Sequence, residues 1–229
     1  MGKKAVPFTT LKISGADAIR LLNGHRSRYR ETRQYPFLIG ERVALDTLER
    51  TPGFNPEDPA TIINTSQKVQ IPDWIAERRA EREDDGFSYD EITGEWPDVI
   101  PDLGSLEFLR HLRTGKVNSE IYLGLARIEK PWHLPAVLKI GNWNECPEAE
   151  VHCAFHRSWQ DRFGAEIVGL SADTIECQVT SPPMDRETAT ALAWEHYWYC
   201  PDIVEQGCET IENLAATLLA ARYWYFWWD

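Results

Sequence analysis

The sequence predicts an α+β fold: a mixed sheet with helices, an α/β-like N-terminal part and a Trp-rich C-terminal α+β domain ending in a buried strand. Three observations carry this. Strand-like and helix-like segments alternate through the first sixty or so residues, in a β-α-β-α order. A hairpin pattern follows a strongly marked helix in the second half. Ten tryptophans are present, eight of them from Trp132 onward. So dense a cluster marks a thick aromatic core, because each indole buries a large apolar area and asks for only one polar partner.

Taken in order, Phe8–Ile13 alternates and reads as a strand, and Ala16–Arg33 as a helix with Ala18, Ile19, Leu21 and Leu22 on its apolar face. Tyr35–Gly40 is a short buried strand. Val43–Leu48 is a helix that must end before Pro52. Ala60–Asn64, rich in Thr and Ile, reads as a weak strand, and Asp73–Asp85 as a highly charged helix with Arg79 and Glu83 at i,i+4. The acidic stretch 86–101, with Gly94, Pro97 and Pro101, reads as a loop. It divides the chain into an N-terminal part, 1–100, and a C-terminal domain, 101–229.

In the second part Glu120–Ile128 and Leu134–Ile140 read as strands. A helix opens at Pro147 and stops at Gly164. Residues 165–170 and 174–180 form a hairpin about Ser171-Ala172-Asp173. Asp185 caps a helix that ends at Cys200 because Pro201 follows, and Thr210–Ala221 is an amphipathic helix. The final Tyr223-Trp224-Tyr225-Phe226-Trp227-Trp228 carries aromatics on both faces of a strand. That pattern predicts a central or covered strand, buried on both sides.

Charge narrows the function. Lys and Arg number 24 against 36 Asp and Glu, a net charge of -12. Residues 1–50 run the other way, with ten basic and five acidic residues. A generally basic nucleic-acid binder is excluded, and no apolar run reaches the ~20 residues that span a bilayer. Five cysteines, odd in number and without C-x-x-C spacing, read as reduced thiols of a soluble, cytoplasmic protein.

Several spaced segments carry a family resemblance. Trp132-His133-Leu134-Pro135-Ala136, Gly141-Asn142-Trp143-Asn144-Glu145-Cys146-Pro147, Arg157-Ser158-Trp159, Phe163-Gly164-Ala165-Glu166, Tyr199-Cys200-Pro201-Asp202-Ile203-Val204-Glu205-Gln206-Gly207 and Phe226-Trp227-Trp228-Asp229 stand in order. Over roughly residues 130–229 the chain resembles the bacterial domain of unknown function 4253 family. Asn142 departs from the pattern, standing where a second Gly after Gly141 is expected. The resemblance implies a bacterial, cytoplasmic protein and brings no catalytic residues with it.

Two constellations could carry chemistry. His152 and His156 stand i,i+4 on one helix, and His196 and Cys200 stand i,i+4 on another. Brought together they would make a tetrahedral set suited to zinc. Cys146 and Cys200 each precede a proline beside a helix end. Cys146 at a helix N-terminus would have a lowered pKa, with His133 or His156 as its base and Asn144 and Asp202 nearby. Against both readings stands a bland one, satisfied core histidines and small buried thiols. Acidic residues such as Glu166, Glu176 and Glu195 are too common for pairing to mean anything by itself. Leu112-Arg113-Thr114-Gly115-Lys116-Val117 lacks the full phosphate-loop pattern.

The expectation is a non-catalytic acidic binding module for a protein partner, a basic one, of the kind immunity proteins and antitoxins exemplify. A metal- or thiol-dependent hydrolase is the first alternative. The second is phosphate or nucleic-acid binding through Arg20, His25, Arg26, Arg28, Arg30 and Arg33, a stretch read otherwise as a solvated face or one docked on the acidic remainder.

Overall fold

The computed structural model describes residues 6–51, 55–99, 106–111 and 114–229. Met1–Ala5, Pro52, Pro101 and the start of the 112–117 segment lie outside the described residues. Six strands make one mixed sheet: β1 (Phe8–Ile13), β2 (Gln34–Gly40), β3 (Ile121–Arg127), β4 (Glu166–Leu170), β5 (Thr174–Gln178) and β6 (Tyr223–Trp227), in the order β1-β3-β2-β4-β5-β6. Neighbours are antiparallel except β2 and β4, which run parallel with Leu38 opposite Gly169.

β2 shows why the sheet needs cover on both faces. Tyr35, Phe37 and Ile39 enter the large core, while Leu38 between them enters a second cluster. The large core is closed by α8 (Ala149–Phe163), α9 (Arg186–Tyr199) and α10 (Ile211–Leu218). The second cluster is closed by Ala18 and Leu22 of α1 (Ala18–Ser27) and by Leu106 and Leu109. Gly124 of β3 lies under the Phe37 ring, where an added Cβ would come within 2.3 Å of that ring.

The first helical stretch is not continuous. A 3-10 turn at Gly15–Asp17 leads into α1, then α2 (Tyr29–Thr32) follows after a break at Arg28 and ends on Arg33 in the left-handed region. α3 (Arg42–Leu48) and α5 (Ile71–Asp84) form where periodicity places them. Arg78 and Arg82 of α5 pair with Glu145 at 2.5 Å and with Glu205 at 2.6 Å, and Trp74 packs edge-on against Phe155. Inside the acidic 86–101 stretch a short helix, α6 (Tyr89–Thr93), forms.

Two strand expectations are overturned. Residues 60–64 lie in α4 (Pro59–Ser66), because the Asp58 carboxylate accepts the Thr61 N–H and Pro59 supplies a preset helical φ. The β-branched run misleads where the cap decides. Residues 134–138 likewise form α7 (Leu134–Leu138), continuing a 3-10 turn at Pro131–His133 and ending on Lys139 in the left-handed region. Pro135 in its first turn is a helix-start signal that outweighs the apolar run.

The last strand is also placed differently. β6 lies at the sheet edge, paired among the described residues with β5 alone. Trp224, Phe226 and Trp228 are buried, whereas Tyr225 on the other face is exposed and Tyr223 and Trp227 are half-buried. One face is core and the other lines a cleft. No helix among the described residues is long and apolar enough to cross a membrane.

Candidate functional site

The helices bring the predicted histidines together inside the core. His152 and His156 of α8 face Tyr199 of α9: His152 Nδ1 stands 2.5 Å and His156 Nε2 3.1 Å from the Tyr199 hydroxyl. At the outer ends Cys146 Sγ lies 3.5 Å from His152 Nε2, and Cys177 Sγ lies 3.5 Å from His156 Nδ1. Five buried groups thus form one chain, Cys146–His152–Tyr199–His156–Cys177.

The two imidazoles share the Tyr199 hydroxyl, and the ring tautomers set which member of each pair donates. Every member is neutral. Burial holds His156 and His196 well below the ordinary imidazole range and His152 at about 3. Burial also raises the thiols, Cys153 to about 12 and Cys146, Cys177 and Cys200 upward as well.

This geometry does not assemble the predicted tetrahedral set. His196 packs among Trp159, Trp224 and Phe226, with no hydrogen-bond partner for its Nε2 among the described residues. The Cys200 thiol donates to the Trp227 carbonyl at 3.0 Å. Among the described residues no group of three or more His, Cys, Asp or Glu is placed to hold a metal ion. Cys146 does not stand in the first turn of α8, which starts at Ala149. Its thiol is raised by burial, opposite to the direction a helix N-terminus alone would give.

Cys200, Asp202 and Asn144 do meet, and what they hold is the last strand. Asp202 Oδ2 accepts the Asp229 N–H at 2.9 Å, while its Oδ1 accepts from Gln206. The Asn144 side chain donates to the Asp229 carbonyl at 3.0 Å. Asn142, the departure from the family pattern, still makes the turn, with φ at 63° and its N–H 3.0 Å from the Pro147 carbonyl. Asn tolerates the left-handed region that Gly usually fills.

The chain's keystone role for Tyr199 is directly measurable. Tyr199→Phe leaves His152 Nδ1 and His156 Nε2 buried without their hydroxyl partner, at about 1–3 kcal/mol per orphaned group. A loss of roughly 2–4 kcal/mol is expected in urea unfolding followed by tryptophan fluorescence. A loss under about 0.5 kcal/mol would show the network to be slack.

None of these groups lines either of two cavities that open on the surface. The first, about 480 Å³, sits at the C-terminal end of β2. Its apolar wall includes Val43, Ala44, Phe108, Tyr225 and Trp227, and its rim carries Glu41, Glu107 and Asp173 with Arg110 as the one cation among the lining residues. Under it, buried Glu176 of β5 accepts the Glu107 and Phe108 N–H groups at 2.5 and 3.2 Å, pinning that turn to the sheet. Burial raises this carboxyl to about 8, against the pull of the two bonds. Of the other acids, Glu195 accepts the Trp159 N–H at 2.6 Å and pairs with Arg162, and Glu166 pairs with Arg26.

The second cavity, about 780 Å³, lies at the opposite end of β2 and gathers Arg26, Arg30 and Arg33 from the basic stretch with Lys130, Gln160, Glu129 and Glu166. Arg20 points elsewhere, pairing with Asp17 at 2.9 Å. The first cleft was not legible as a site in the sequence, because Glu41, Glu107, Asp173 and Tyr225 are distant in the chain and ordinary in type, whereas Arg26, Arg30 and Arg33 of the second belong to the basic stretch read as a phosphate-binding candidate.

The family model described as Domain of unknown function (DUF4253) matches residues 122–229. No curated protein and no solved structure matches the chain. Three of the segments that carry the family resemblance, around Asn144, Cys200–Asp202 and the final Phe226–Asp229, are those that meet at the last strand.

Proposed function

We propose that this protein is a non-catalytic, cytoplasmic binding module whose cleft at the end of β2 receives a cationic side chain of a basic protein partner. The supporting observation is the cleft's chemistry. Three carboxylates, Glu41, Glu107 and Asp173, ring an apolar wall that includes Tyr225 and Trp227. An alkyl stem with a cationic head needs both parts: apolar surface for the stem, and carboxylates with aromatic faces for the head. The net charge of -12 adds long-range attraction for a basic partner. A thiol- or metal-dependent hydrolase has less support, since the buried Cys and His chain lines neither cavity.

Titration with an oligoarginine peptide tests this, with tryptophan fluorescence as the signal because Trp227 lines the cleft. Saturable binding is expected, weakening as salt screens the charges, and falling about fivefold or more in the double variant Glu41→Gln/Glu107→Gln. No saturable change at low salt, or equal affinity in the double variant, removes the reading.

A further inference from the structure

We propose that the cavity at the other end of β2 is a site for the phosphate group of a small hydroxylated ligand, a sugar phosphate or nucleotide. It is independent of the cationic-partner reading: β2 has seven residues, which at about 3.3 Å each separates the two clefts by roughly 20 Å.

Four cations line it, Arg26, Arg30, Arg33 and Lys130, against two carboxylates, Glu129 and Glu166. This local excess of positive charge stands on a chain of net charge -12. Arg26 is already committed, bound to Glu166 and Gln178, so it braces the wall instead of offering a free charge. Arg30, Arg33 and Lys130 have no carboxylate within ion-pair distance among the described residues. Three cations without an ion pair, Arg30 and Arg33 from one turn and Lys130 from the segment after β3, outnumber Glu129 in one concavity and suit a multiply charged phosphate. Guanidinium groups can grip its oxygens bidentately.

A second, independent feature points to the rest of the ligand. Gln160 of α8 lines the same cavity, and its side-chain oxygen is buried without a hydrogen-bond partner among the described residues. An orphaned buried acceptor costs stability unless a donor reaches it. Inorganic phosphate at neutral pH brings mainly acceptors, whereas a sugar hydroxyl brings a donor. The cavity is large enough for both parts, within the range of small-molecule sites.

Isothermal titration of the full chain at fixed ionic strength tests this with ribose 5-phosphate, inorganic phosphate, ribose and an oligothymidylate. Ribose 5-phosphate should bind, inorganic phosphate more weakly, and ribose not at all. Arg30→Ala/Lys130→Ala should weaken ribose 5-phosphate about tenfold or more. Both residues are exposed, so the fold should survive. Gln160→Leu should narrow the preference for ribose 5-phosphate over inorganic phosphate, with circular dichroism confirming the fold. Absence of binding by ribose 5-phosphate, equal binding in the double variant, an unchanged preference in Gln160→Leu, or binding of the oligothymidylate alone would each overturn the proposal. The last result would point to a nucleic-acid backbone instead.

Discussion

A chain ending at Tyr223 will have no cooperative unfolding transition. The missing residues include Trp224, Phe226 and Trp228, each no more than 2% exposed. Removing such a ring from a core costs about 3–5 kcal/mol, so three cost roughly 10 kcal/mol, which rivals the ~5–15 kcal/mol by which a domain is stable. The damage extends further. Phe226 stacks on Trp159 with ring centroids 5.1 Å apart and planes 1° from parallel, and Trp228 packs against His152 and Tyr199. The Cys200 thiol, the Asp202 Oδ2 and the Asn144 amide would all lose their bonds to the last residues at once. Differential scanning calorimetry of the shortened and full chains decides. A shortened chain that melts cooperatively at the full-length temperature would refute the keystone role of β6. Tyr225→Thr is the control: its side chain faces outward, and the variant should melt as the parent does.

Stability is expected to peak near pH 6.5 and to fall steeply on the acid side. His152, His156 and His196 are buried and neutral in the fold, each with its pKa lowered chiefly by burial. Once unfolded they take up protons below pH 6.5, so the unfolded state gains as pH falls. Each group then contributes about 1.4 kcal/mol of lost stability per pH unit. Glu176 acts in the opposite sense. Its folded pKa of about 8 lies above the unfolded value of 4.5, so the fold holds that proton more tightly and its contribution fades as pH rises between the two.

Between pH 6.5 and 4.5 three histidines therefore oppose one glutamate. The net loss is roughly 3 kcal/mol per unit, or about 5 kcal/mol across the interval. Above pH 6.5 the glutamate alone continues, eroding about 2 kcal/mol by pH 8. Urea midpoints measured across this range by fluorescence should trace that asymmetric peak. His196→Gln should make the acid limb shallower, and Glu176→Gln should flatten the alkaline one. A midpoint unchanged between pH 6.5 and 5 would mean the imidazoles are not held neutral as the geometry requires.

Much of the element order was legible because local signals are strong where they are chemical. Asp185 capping α9, Gly164 ending α8 and the apolar run of Tyr35–Ile39 each act within a turn or a strand. The misread segments, 60–64 and 134–140, are short apolar runs where a strand and a buried helix share one pattern and only the Pro and Asp at the start distinguish them. The resemblance over the last hundred residues was legible from spaced motifs, although their purpose was not. Asn144, Cys200 and Asp202 looked like a reactive set and are a clamp.

By itself the sequence determined the α+β class, the acidity and the demand of a tryptophan-rich second half for a thick core, because these depend on composition and near-neighbour periodicity. Tertiary structure alone decided that β6 sits at an edge, that two histidines share one tyrosine hydroxyl, and that two clefts of opposite charge open at the two ends of β2. Each of these depends on groups brought together from remote parts of the chain, and strand order and burial are set by the whole core's packing, which no local pattern encodes.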